Sequence, residues 1–239
     1  MRLTSDDSGK SRQDQRLAAY ARLRRQRPAL FHNPADAAIV IVQSHDEQET
    51  VAAEVRAAMV KRGLPAEYAD VGVLYEDSYI LLLRDAVRFP GGRLGSFIRI
   101  VPVGPDGAVV LPIADGRILL LRHFRHATRK WHWEAPRGFG EPGEEPGQTA
   151  RRELNEECSL TVTALHELGR ITSDAGISST LIHLFAAETD GTMSLDSAEA
   201  ISAARWLTIR DIESWIRDET IDDALTISAI ARARARGLL

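Results

Sequence analysis

Residues 138–160, GFGEPGEEPGQTARRELNEECSL, join a turn-rich loop to a helix with a crowded acidic face. Prolines and glycines interrupt regular structure up to Pro146, and proline suits the first turn of a helix. Glu156 and Glu157 follow Glu153 by three and four positions, so the three side chains share one helix face. The stretch therefore predicts a loop followed by a helix that places three carboxylates side by side.

The same helix carries an apolar stripe of Ala150, Leu154 and Cys158 next to the glutamates. A stripe of this kind docks on a sheet, and docking strengthens the repulsion among the carboxylates beyond the few tenths of a kcal/mol expected in water. Two interpretations stay open. In the first, the acidic face is solvated, and Arg151 and Arg152 offset part of the repulsion among its carboxylates. In the second, the face binds a divalent cation. Mg²⁺ and Mn²⁺ prefer carboxylate oxygens and can bridge a diphosphate.

The composition sets the class of protein. The chain has 239 residues, of which 44% are hydrophobic and 27% charged, with a formal net charge of -4. These values are typical of a globular chain and give no electrostatic footprint for nucleic acid. No stretch approaches the roughly 20 apolar residues of a membrane span, and the polar N-terminus lacks a signal-peptide core. With the single Cys158 excluding an intrachain disulfide, we expect a cytoplasmic protein without nucleic-acid or membrane partners.

The first part of the chain shows mixed helix and strand patterns. We expect residues 1–10 to be disordered and residues 1–95 to form an N-terminal α/β extension, which is a candidate for dimerisation. Gly63 and Pro28 mark the ends of its two helices. The periodicity predicts helices at 12–27 and 46–62, and strands at 38–43, 71–75, 78–83 and 96–102.

Residues 96–239 form the second expected domain. Asp115 and Gly116 separate two apolar runs, which predicts a hairpin. Strands that alternate with helices indicate a mixed-sheet α/β domain with helices packed outside. The predicted strands are 108–112, 117–122, 131–136, 161–171, 181–187 and 203–207, and the predicted closing helices are 210–217 and 222–236.

The opening stretch resembles the Nudix box, G-x5-E-x7-R-E-U-x-E-E-x-G-U, where U is a bulky aliphatic residue. Eight of the nine specified positions match across 23 residues. The exception is Ser159, which replaces a glycine; in a left-handed helix cap serine costs roughly 1 kcal/mol. The matching residues are Gly138, Glu144, Arg152, Glu153, Leu154, Glu156, Glu157 and Leu160.

This resemblance implies a Nudix α/β/α sandwich that holds Mg²⁺ or Mn²⁺ and hydrolyses nucleoside diphosphates linked to another group. Glu153 and Glu157 would be the principal metal ligands, joined by the backbone carbonyl of Arg137. Glu156 would be a further ligand or would orient the attacking water. Arg152 would position the glutamates by salt bridging. Glu144 of the box would tie the loop to the helix.

The flanks of the box resemble the ADP-ribose pyrophosphatase branch of the family. Residues 122–125 (RHFR) stand where that branch has an R-Q-Y-R-like segment, and residues 134–138 (EAPRG) stand where it has E-x-P-A-G. The closing helices are also similar, so the resemblance covers about residues 100–236. It implies a homodimer in which the N-terminal region packs across subunits.

Five residues of these flanks are candidate substrate-binding residues. In the branch that the flanks resemble, arginines contact the diphosphate or the terminal ribose, and we carry this role to Arg122 and Arg125. Trp131 and Trp133 either stack on a base or fill the core. Glu134 opens the second motif.

A zinc site is a weaker alternative for the same region. His123, His126 and His132 lie close in sequence. Their spacing is irregular on an expected loop, unlike the regular ligand spacings of zinc sites. We therefore expect Mg²⁺ or Mn²⁺ and not zinc.

The general base is less clearly marked. The branch carries a loop resembling S-P-G-x-S-x-E, and the matching region here is 172–180, TSDAGISST. Gly176 and Ser178 fit this loop, but the proline is missing and Ser179 or Thr180 replaces the glutamate. A hydroxyl does not accept a proton at neutral pH unaided.

Three carboxylates are alternatives for that base: Asp174 in the same loop, Glu156 in the box, and Glu199. Because such loops carry specificity, the altered loop predicts a change of substrate specificity relative to ADP-ribose. The expected activity is Mg²⁺-dependent hydrolysis of the pyrophosphate bond of ADP-ribose or a related nucleotide sugar. The alternatives are pyrophosphate release from modified nucleoside triphosphates and a non-catalytic nucleotide-sugar sensor. The nucleobase and the sugar of the substrate, and the role of residues 1–95, stay open.

Overall fold

The computed structural model describes residues 11–195 and 200–239. The chain divides into two compact units. The first runs to Val103 and includes residues 176–179, and the second comprises 104–175 and 180–239. The expected disorder of residues 1–10 and the candidate base Glu199 lie outside the described residues. Within the described part of the chain, no helix is both long and apolar enough to cross a membrane.

From residue 11 onward, the first unit contains two helices and four strands, in the order that the sequence predicts. Three short 3₁₀ turns connect them, at Pro28–Phe31, Ala66–Ala69 and Pro90–Gly92. The elements are α1 (Arg12–Gln26), β1 (Val40–Ile41), α2 (His45–Lys61), β2 (Gly72–Glu76), β3 (Ile80–Arg88) and β4 (Leu94–Pro102).

Strand β3 is the centre of the first sheet. It pairs antiparallel with β1, β2 and β4, and its pairing with β4 extends from Ile80 opposite Pro102 to Arg88 opposite Leu94. Because β4 bonds to β3 along its whole length, residues 96–102 belong to the first unit. The division between the units therefore falls after Val103, eight residues beyond the expected boundary at 95.

The described residues of the second unit form a seven-stranded sheet and three helices. Its main strand order is β11-β6-β5-β10-β9, with β7 paired to β6 and β8 to β5. Strands β5 and β10 are parallel and the other pairs are antiparallel, so the sheet is mixed as expected. The elements are β5 (Gly107–Ala114), β6 (Arg117–Arg125), β7 (Lys130–Glu134), β8 (Arg137–Phe139), α3 (Pro146–Cys158), β9 (Val162–Thr172), β10 (Leu181–Thr189), β11 (Ile201–Thr208), α4 (Ile209–Arg217) and α5 (Ala224–Ala235).

Helices cover both faces of this sheet. On one face the predicted apolar stripe of α3 packs against side chains of β5 and β6, such as Leu121. On the other face Ile212 of α4 and Ile230 of α5 pack against Leu120. Leu120 and Leu121 point to opposite faces because strand side chains alternate. The arrangement confirms the α/β/α sandwich.

Helix α3 begins and ends where its sequence signals predict. Pro146 occupies the first turn, and the Glu145 amide donates to Gln148 Oε1 at 2.9 Å. Leu154 is fully buried in the core beneath the helix, where truncation of a leucine to alanine costs about 2–5 kcal/mol. Ser159 ends the helix in the left-handed conformation with φ 56°.

The hairpin between β5 and β6 is also confirmed. Ala114 pairs with Arg117 across a two-residue turn. Asp115 and Gly116 both have positive φ, at 49° and 70°. Asp-Gly adopts such a turn readily, which fixes the register of the two strands.

Candidate active site

Helix α3 presents its three glutamates in two different environments. Glu153 and Glu157 are buried, with 8% and 4% of their surface exposed, whereas the Glu156 side chain is 54% exposed. The difference follows from their angular distance to the apolar stripe that docks the helix on the sheet. The structure thus brings two of the three carboxylates under the helix and leaves one at the solvent boundary.

Arg152 connects the glutamates to the preceding loop. Its Nη1 donates to Glu153 Oε1 at 2.7 Å and to Glu156 Oε2 at 2.9 Å, and its Nε donates to Glu144 Oε1 at 3.0 Å. Its Nη2 also donates to the carbonyl oxygen of Phe139 at 2.8 Å. These bonds fit the expected positioning role of Arg152 and the expected link from Glu144 to the helix. The pKa of Glu144 is lowered to about 2, chiefly by the hydrogen bonds from Arg152.

The carboxylate of Glu153 lies directly against the main chain at Gly138. A Cβ atom on residue 138 would lie 2.0 Å from Glu153 Oε1 and 2.4 Å from Oε2. Only glycine leaves this space free. The contact places Glu153 beside the Arg137–Gly138 peptide, the segment that carries the expected carbonyl ligand.

Glu157 is the most electrostatically strained carboxylate of the site. Among the described residues, its Oε2 is buried without a hydrogen-bond partner. Burial, together with the nearby charge of Glu153, raises the pKa of Glu157 to about 8. A carboxylate oxygen kept in this state is suited to a cation or a proton donor that a ligand would bring.

The expected metal-ligand set is not assembled as three converging side chains. Within residues 11–195 and 200–239, no three His, Cys, Asp or Glu side chains are grouped so that they could hold a metal ion. Arg152 Nη1 instead contacts the carboxylates of both Glu153 and Glu156. Glu153 and Glu157 nevertheless offer hard oxygen donors beside the Arg137–Gly138 main chain. The donor chemistry therefore fits a divalent cation held by two carboxylates and a carbonyl.

A cavity of about 500 Å³ opens beside these residues. This volume is within the range of small-molecule sites. Several residues that line it were not predicted as site residues, and Phe139, Ser173 and Thr180 are among them. The predicted residues that line it are Glu153, Glu156, Glu157, Arg125 and Arg137, together with Gly138 of the box.

Strand alternation separates the candidate arginines of β6. Arg122 lies opposite Trp133 in the β6–β7 register, whereas His123 lies opposite His132. Positions 122 and 125 differ by an odd number, so their side chains point to opposite faces of the sheet. Arg125 lines the cavity, and Arg122 is not among its lining residues.

The two tryptophans lie with Arg122 and outside the cavity lining. The Trp133 ring packs against Trp215 of α4 at 5.1 Å between centroids, which matches the core-filling alternative for this residue. Trp131 packs against Phe124, with ring centroids 5.4 Å apart. The Arg122 guanidinium lies 5.0 Å from the Trp131 ring centroid.

Arg125 lines the cavity, and part of its guanidinium is buried. Its Nε is buried and has no hydrogen-bond partner among the described residues. Its Nη2 is also buried and forms a close ion pair with Glu134 Oε1. Buried guanidinium donors of this kind are suited to bind an anion.

Glu134 lies behind the cavity and connects the arginines. It is 1% exposed and is not among the cavity-lining residues. Its Oε2 accepts a hydrogen bond from Arg137 Nη2 at 2.8 Å. Arg137 Nη1 donates to Asp223 Oδ1 at 2.9 Å. Glu134 thus contacts Arg125 and Arg137, and the structure gives it no direct exposure to a substrate.

The sequence did not indicate that Asp223 belongs to the site. It also did not indicate that the side chain of Arg137, and not only its carbonyl oxygen, contacts other site residues. Asp223 is the residue before α5, where it accepts from the Thr226 amide at 2.8 Å. Thr226 Oγ1 in turn accepts from the Ala135 amide at 2.9 Å. The Asp-x-x-Thr spacing signals a helix N-cap in the sequence, but nothing in it indicates a contact with residue 137.

The three histidines of the zinc alternative have separate partners. His126 Nδ1 lies 2.7 Å from Arg129 Nη1, and His132 Nδ1 lies 2.7 Å from Asp222 Oδ1. His123 lies 3.4 Å from Glu134 Oε1. Burial lowers the pKa of His123 to about 4, with Arg125 contributing.

The loop expected to carry a general base reaches the cavity at its two ends. Ser173 and Thr180 line the cavity. Asp174 is exposed and is not among the lining residues. Gly176 and Ser178 belong to the first compact unit. The cavity lining therefore includes Glu156, but not Asp174, among the described candidates for the base.

Comparison with known proteins establishes the family. The model of the NUDIX domain matches residues 104–227, which is more than half of the 239 residues. The chain belongs to the Nudix family. The match begins directly after the first compact unit, so it covers most of the second unit.

Three similar proteins point to the same branch. An ADP-ribose pyrophosphatase of Bacillus subtilis (strain 168) is 28% identical over 162 residues, covering 66% of this chain and 86% of its own length. An ADP-ribose pyrophosphatase of Mycobacterium tuberculosis is 34% identical over 117 residues, covering 48% of this chain and 55% of its own. The ADP compounds hydrolase NudE of Escherichia coli (strain K12) is 23% identical over 150 residues, covering 62% and 80%.

A solved structure agrees with the fold. The crystal structure of an ADP compounds hydrolase matches with a TM-score of 0.61 and 18% identity, covering 70% of this chain and 91% of that one. The predicted resemblance to the ADP-ribose pyrophosphatase-like branch, and the prediction of a Nudix hydrolase, are confirmed.

Proposed function

We propose that this protein hydrolyses the pyrophosphate bond of ADP-ribose or a related nucleoside-diphosphate sugar, with Mg²⁺ or Mn²⁺ as cofactor. One observation carries the proposal. The unpartnered carboxylate oxygen of Glu157 and the unpartnered Nε of Arg125 belong to residues that line the same cavity. A metal-bound diphosphate supplies both missing partners at once. Relatives named for ADP-ribose and ADP compounds support the substrate class.

Glu153, Glu157 and the carbonyl oxygen of Arg137 would hold the cation. When bound, it polarises phosphoryl oxygens and lowers the pKa of coordinated water. Arg152 restrains Glu153 through the 2.7 Å hydrogen bond. The contact with Gly138 restrains the same carboxylate from its other side.

Arg125 would bind the diphosphate. Guanidinium groups recognise phosphate oxygens through charge-assisted hydrogen bonds, often in pairs. The Nη2 atom of Arg125 contacts Glu134 Oε1, whereas its Nε has no hydrogen-bond partner among the described residues. Nε is therefore suited to donate a hydrogen bond to a phosphate oxygen.

Glu156 would act as general base. It lines the cavity, and its Oε2 accepts a hydrogen bond from Arg152 Nη1 at 2.9 Å. The attacking water loses a proton to Glu156 as its oxygen bonds to phosphorus, and the P–O bond of the bridging oxygen breaks. The products are a nucleoside monophosphate and a sugar phosphate. Asp174 is the second candidate, because it adjoins the cavity-lining Ser173.

Purified protein incubated with Mg²⁺ or Mn²⁺ and a panel of nucleotide sugars tests the proposal. We expect nucleoside monophosphate from ADP-ribose or a close analogue, and a loss of at least about 100-fold in Glu157→Gln. Arg217→Ala is the matched control, since Arg217 is exposed on α4. Pyrophosphate release from triphosphates would instead favour cleansing of nucleotides. Tight binding without turnover would favour a sensor.

Glu156→Gln and Asp174→Asn separate the two candidate bases. We expect kcat to fall at least tenfold more in Glu156→Gln, because only Glu156 lines the cavity. The opposite order would assign the base to Asp174. Rates in both variants are compared at saturating Mg²⁺, so that weakened metal binding does not contribute.

The homodimer and the cytoplasmic location remain predictions. We propose that the first unit, up to Val103, contributes the dimer contacts. Light scattering of the full chain gives the mass in solution. A monomer at micromolar concentration would contradict this proposal.

A further inference from the structure

We propose that Phe139 is a specificity-determining residue whose side chain stacks on the nucleobase of the substrate. This inference rests on the proposed function and assigns a binding residue to a part of the substrate that the diphosphate site does not contact. Residue 139 is the first of the five unspecified positions between Gly138 and Glu144 of the box. Because the motif leaves this side chain unspecified, it is free to set specificity in this chain.

Phe139 supplies an exposed aromatic ring to the cavity. Among the described residues that line the cavity, no other is phenylalanine, tyrosine or tryptophan. Phe139 is 71% exposed, and no described aromatic ring or guanidinium stacks on its ring. A large apolar side chain that stays exposed in a ligand cavity is suited to contact an apolar surface of the ligand.

The main chain that carries this ring is held by several contacts. The carbonyl oxygen of Phe139 accepts a hydrogen bond from Arg152 Nη2 at 2.8 Å. The next amide, of Gly140, donates to the carbonyl oxygen of Asp106 at 3.2 Å, and Phe139 pairs with Gly107 in the β5–β8 register. The exposed ring therefore stands on a fixed strand, and fixed elements position ligand contacts more precisely than loose loops.

Gly107 leaves space beside the ring. It lies opposite Phe139 of β8 and opposite Ile182 of β10, and residues that lie opposite each other in a sheet carry their side chains on the same face. Ile182 leans over the glycine, since its Cδ1 would lie 3.4 Å from a Cβ atom on residue 107. All three residues line the cavity. Gly107 and Ile182 thus form an apolar floor next to the Phe139 ring, which suits a flat, apolar ligand group.

The place of Phe139 in the chain connects the ring to the expected diphosphate position. Phe139 directly follows Gly138, whose main chain lies against the carboxylate of Glu153, and Arg125 lines the same cavity. In a nucleoside diphosphate a single ribose joins the phosphates to the base, so the base lies close to a diphosphate bound here. The base is also the part of the nucleoside that offers a π-face to phenylalanine. The ligand group that fits the ring is therefore the nucleobase.

Calorimetric titration of α,β-methylene-ADP in the presence of Mg²⁺ measures the contact without turnover, because a methylene group replaces the bridging oxygen. We expect Phe139→Ala to weaken binding roughly 5- to 100-fold, the effect of losing one base–aromatic stack, and Phe139→Tyr to stay within about threefold of wild type. Methylenediphosphonate, which lacks base and ribose, should bind wild type and both variants within about twofold, since it contacts only the phosphate-binding groups. Phe97→Ala is the matched control, because Phe97 is 39% exposed and does not line this cavity.

Phe139→Trp distinguishes a stacked base from a contact with the ribose. A tryptophan ring loses fluorescence when a nucleobase stacks on it, and a sugar does not have this effect. We expect α,β-methylene-ADP to quench the fluorescence that Phe139→Trp adds to that of wild type, and methylenediphosphonate to leave it unchanged. In Phe139→Ala, KM for ADP-ribose should rise with the loss of binding, while kcat changes less than about threefold.

Three results would overturn the inference. One is a wild type that does not bind α,β-methylene-ADP, or a Phe139→Ala variant that binds it equally well. Another is equal weakening of both probes in Phe139→Ala, because Phe139 would then support the loop and not the base. The third is analogue binding to Phe139→Trp without quenching. The melting temperature of each variant checks folding. Base-dependent binding through Phe139 in a wild type that hydrolyses no nucleotide sugar would support the stacking contact and overturn the proposed hydrolase activity.

Discussion

A Cβ atom on residue 138 would lie 2.0 Å from Oε1 of Glu153, so Gly138 and Glu153 fit together only because residue 138 has no side chain. The same carboxylate accepts a hydrogen bond from Arg152 at 2.7 Å. The loop and the helix of the box are therefore matched at one contact between a main chain and a carboxylate.

Gly138→Ala should lower activity more than stability. The added methyl group forces the Glu153 carboxylate to move, which costs little unfolding free energy because the flexible end of that side chain can shift, while the displaced carboxylate leaves the expected metal position. We expect at least a tenfold loss of kcat/KM and a lower melting temperature. Gly104→Ala is the matched control, because a Cβ there meets nothing within 4 Å. Equal effects of the two variants would contradict the close fit at position 138.

Glu157→Gln should stabilise the metal-free protein while it abolishes activity. The variant replaces a buried carboxylate whose Oε2 has no hydrogen-bond partner among the described residues. Above its pKa of about 8 Glu157 is ionised, and there the removal of the buried charge is worth about 1–3 kcal/mol, which corresponds to a rise in melting temperature of several degrees in EDTA. Glu156→Gln, at a side chain that is 54% exposed, should change the melting temperature far less. A lower melting temperature in Glu157→Gln would show that the carboxylate is satisfied in the folded protein.

Ser159→Gly should stabilise helix α3. Ser159 has φ 56°, a conformation that glycine adopts more easily than serine by roughly 0.5–1 kcal/mol. The hydroxyl of Ser159 lies 3.2 Å from that of Ser194, and loss of this contact offsets part of the gain. We expect a rise of about 1–3 °C in melting temperature. In a Ser194→Ala background the full gain should appear, and a smaller rise there would contradict the cap argument.

His123 should make the folded state weaker in mild acid. Burial lowers its pKa to about 4 from 6.5, so the unfolded chain binds a proton between these values and the folded chain does not. The contribution of neutral His123 to stability is therefore complete above pH 6.5 and is lost progressively as the pH falls toward 4. At pH 5 we expect wild type to lose about 1–2 kcal/mol more than His123→Gln, relative to pH 7.5. Denaturant midpoints at both pH values measure this, and parallel pH dependence of the two proteins would contradict it.

Much of the fold could be predicted from the sequence because the sequence signals for it are local. Pro146 and Ser159 bound α3, Asp115 and Gly116 turn the hairpin, and the apolar stripe beginning at Ala150 shows which helix face is buried. Each of these depends on the conformational preference of one residue or on a helical period. The box residues, such as Glu153, were found for the same reason, since they lie within a single loop and helix.

The substrate-binding side of the site was predicted less well. Arg122 and Arg125 lie on opposite faces of one strand, and only Arg125 lines the cavity. Trp133 packs in the core against Trp215. Alternation along β6 was visible in the sequence, but which face carries the cavity depends on where α3 docks.

By itself the sequence determined the mixed α/β unit, the acidic helix and the carboxylates that would hold a cation, because these follow from short-range spacing. Only the tertiary structure decided that Asp223 meets Arg137 across 86 positions, and that Glu134 is buried between two arginines. Such contacts join remote elements through the packing of α5 against the sheet. Their geometry depends on the packed core, which no local pattern specifies.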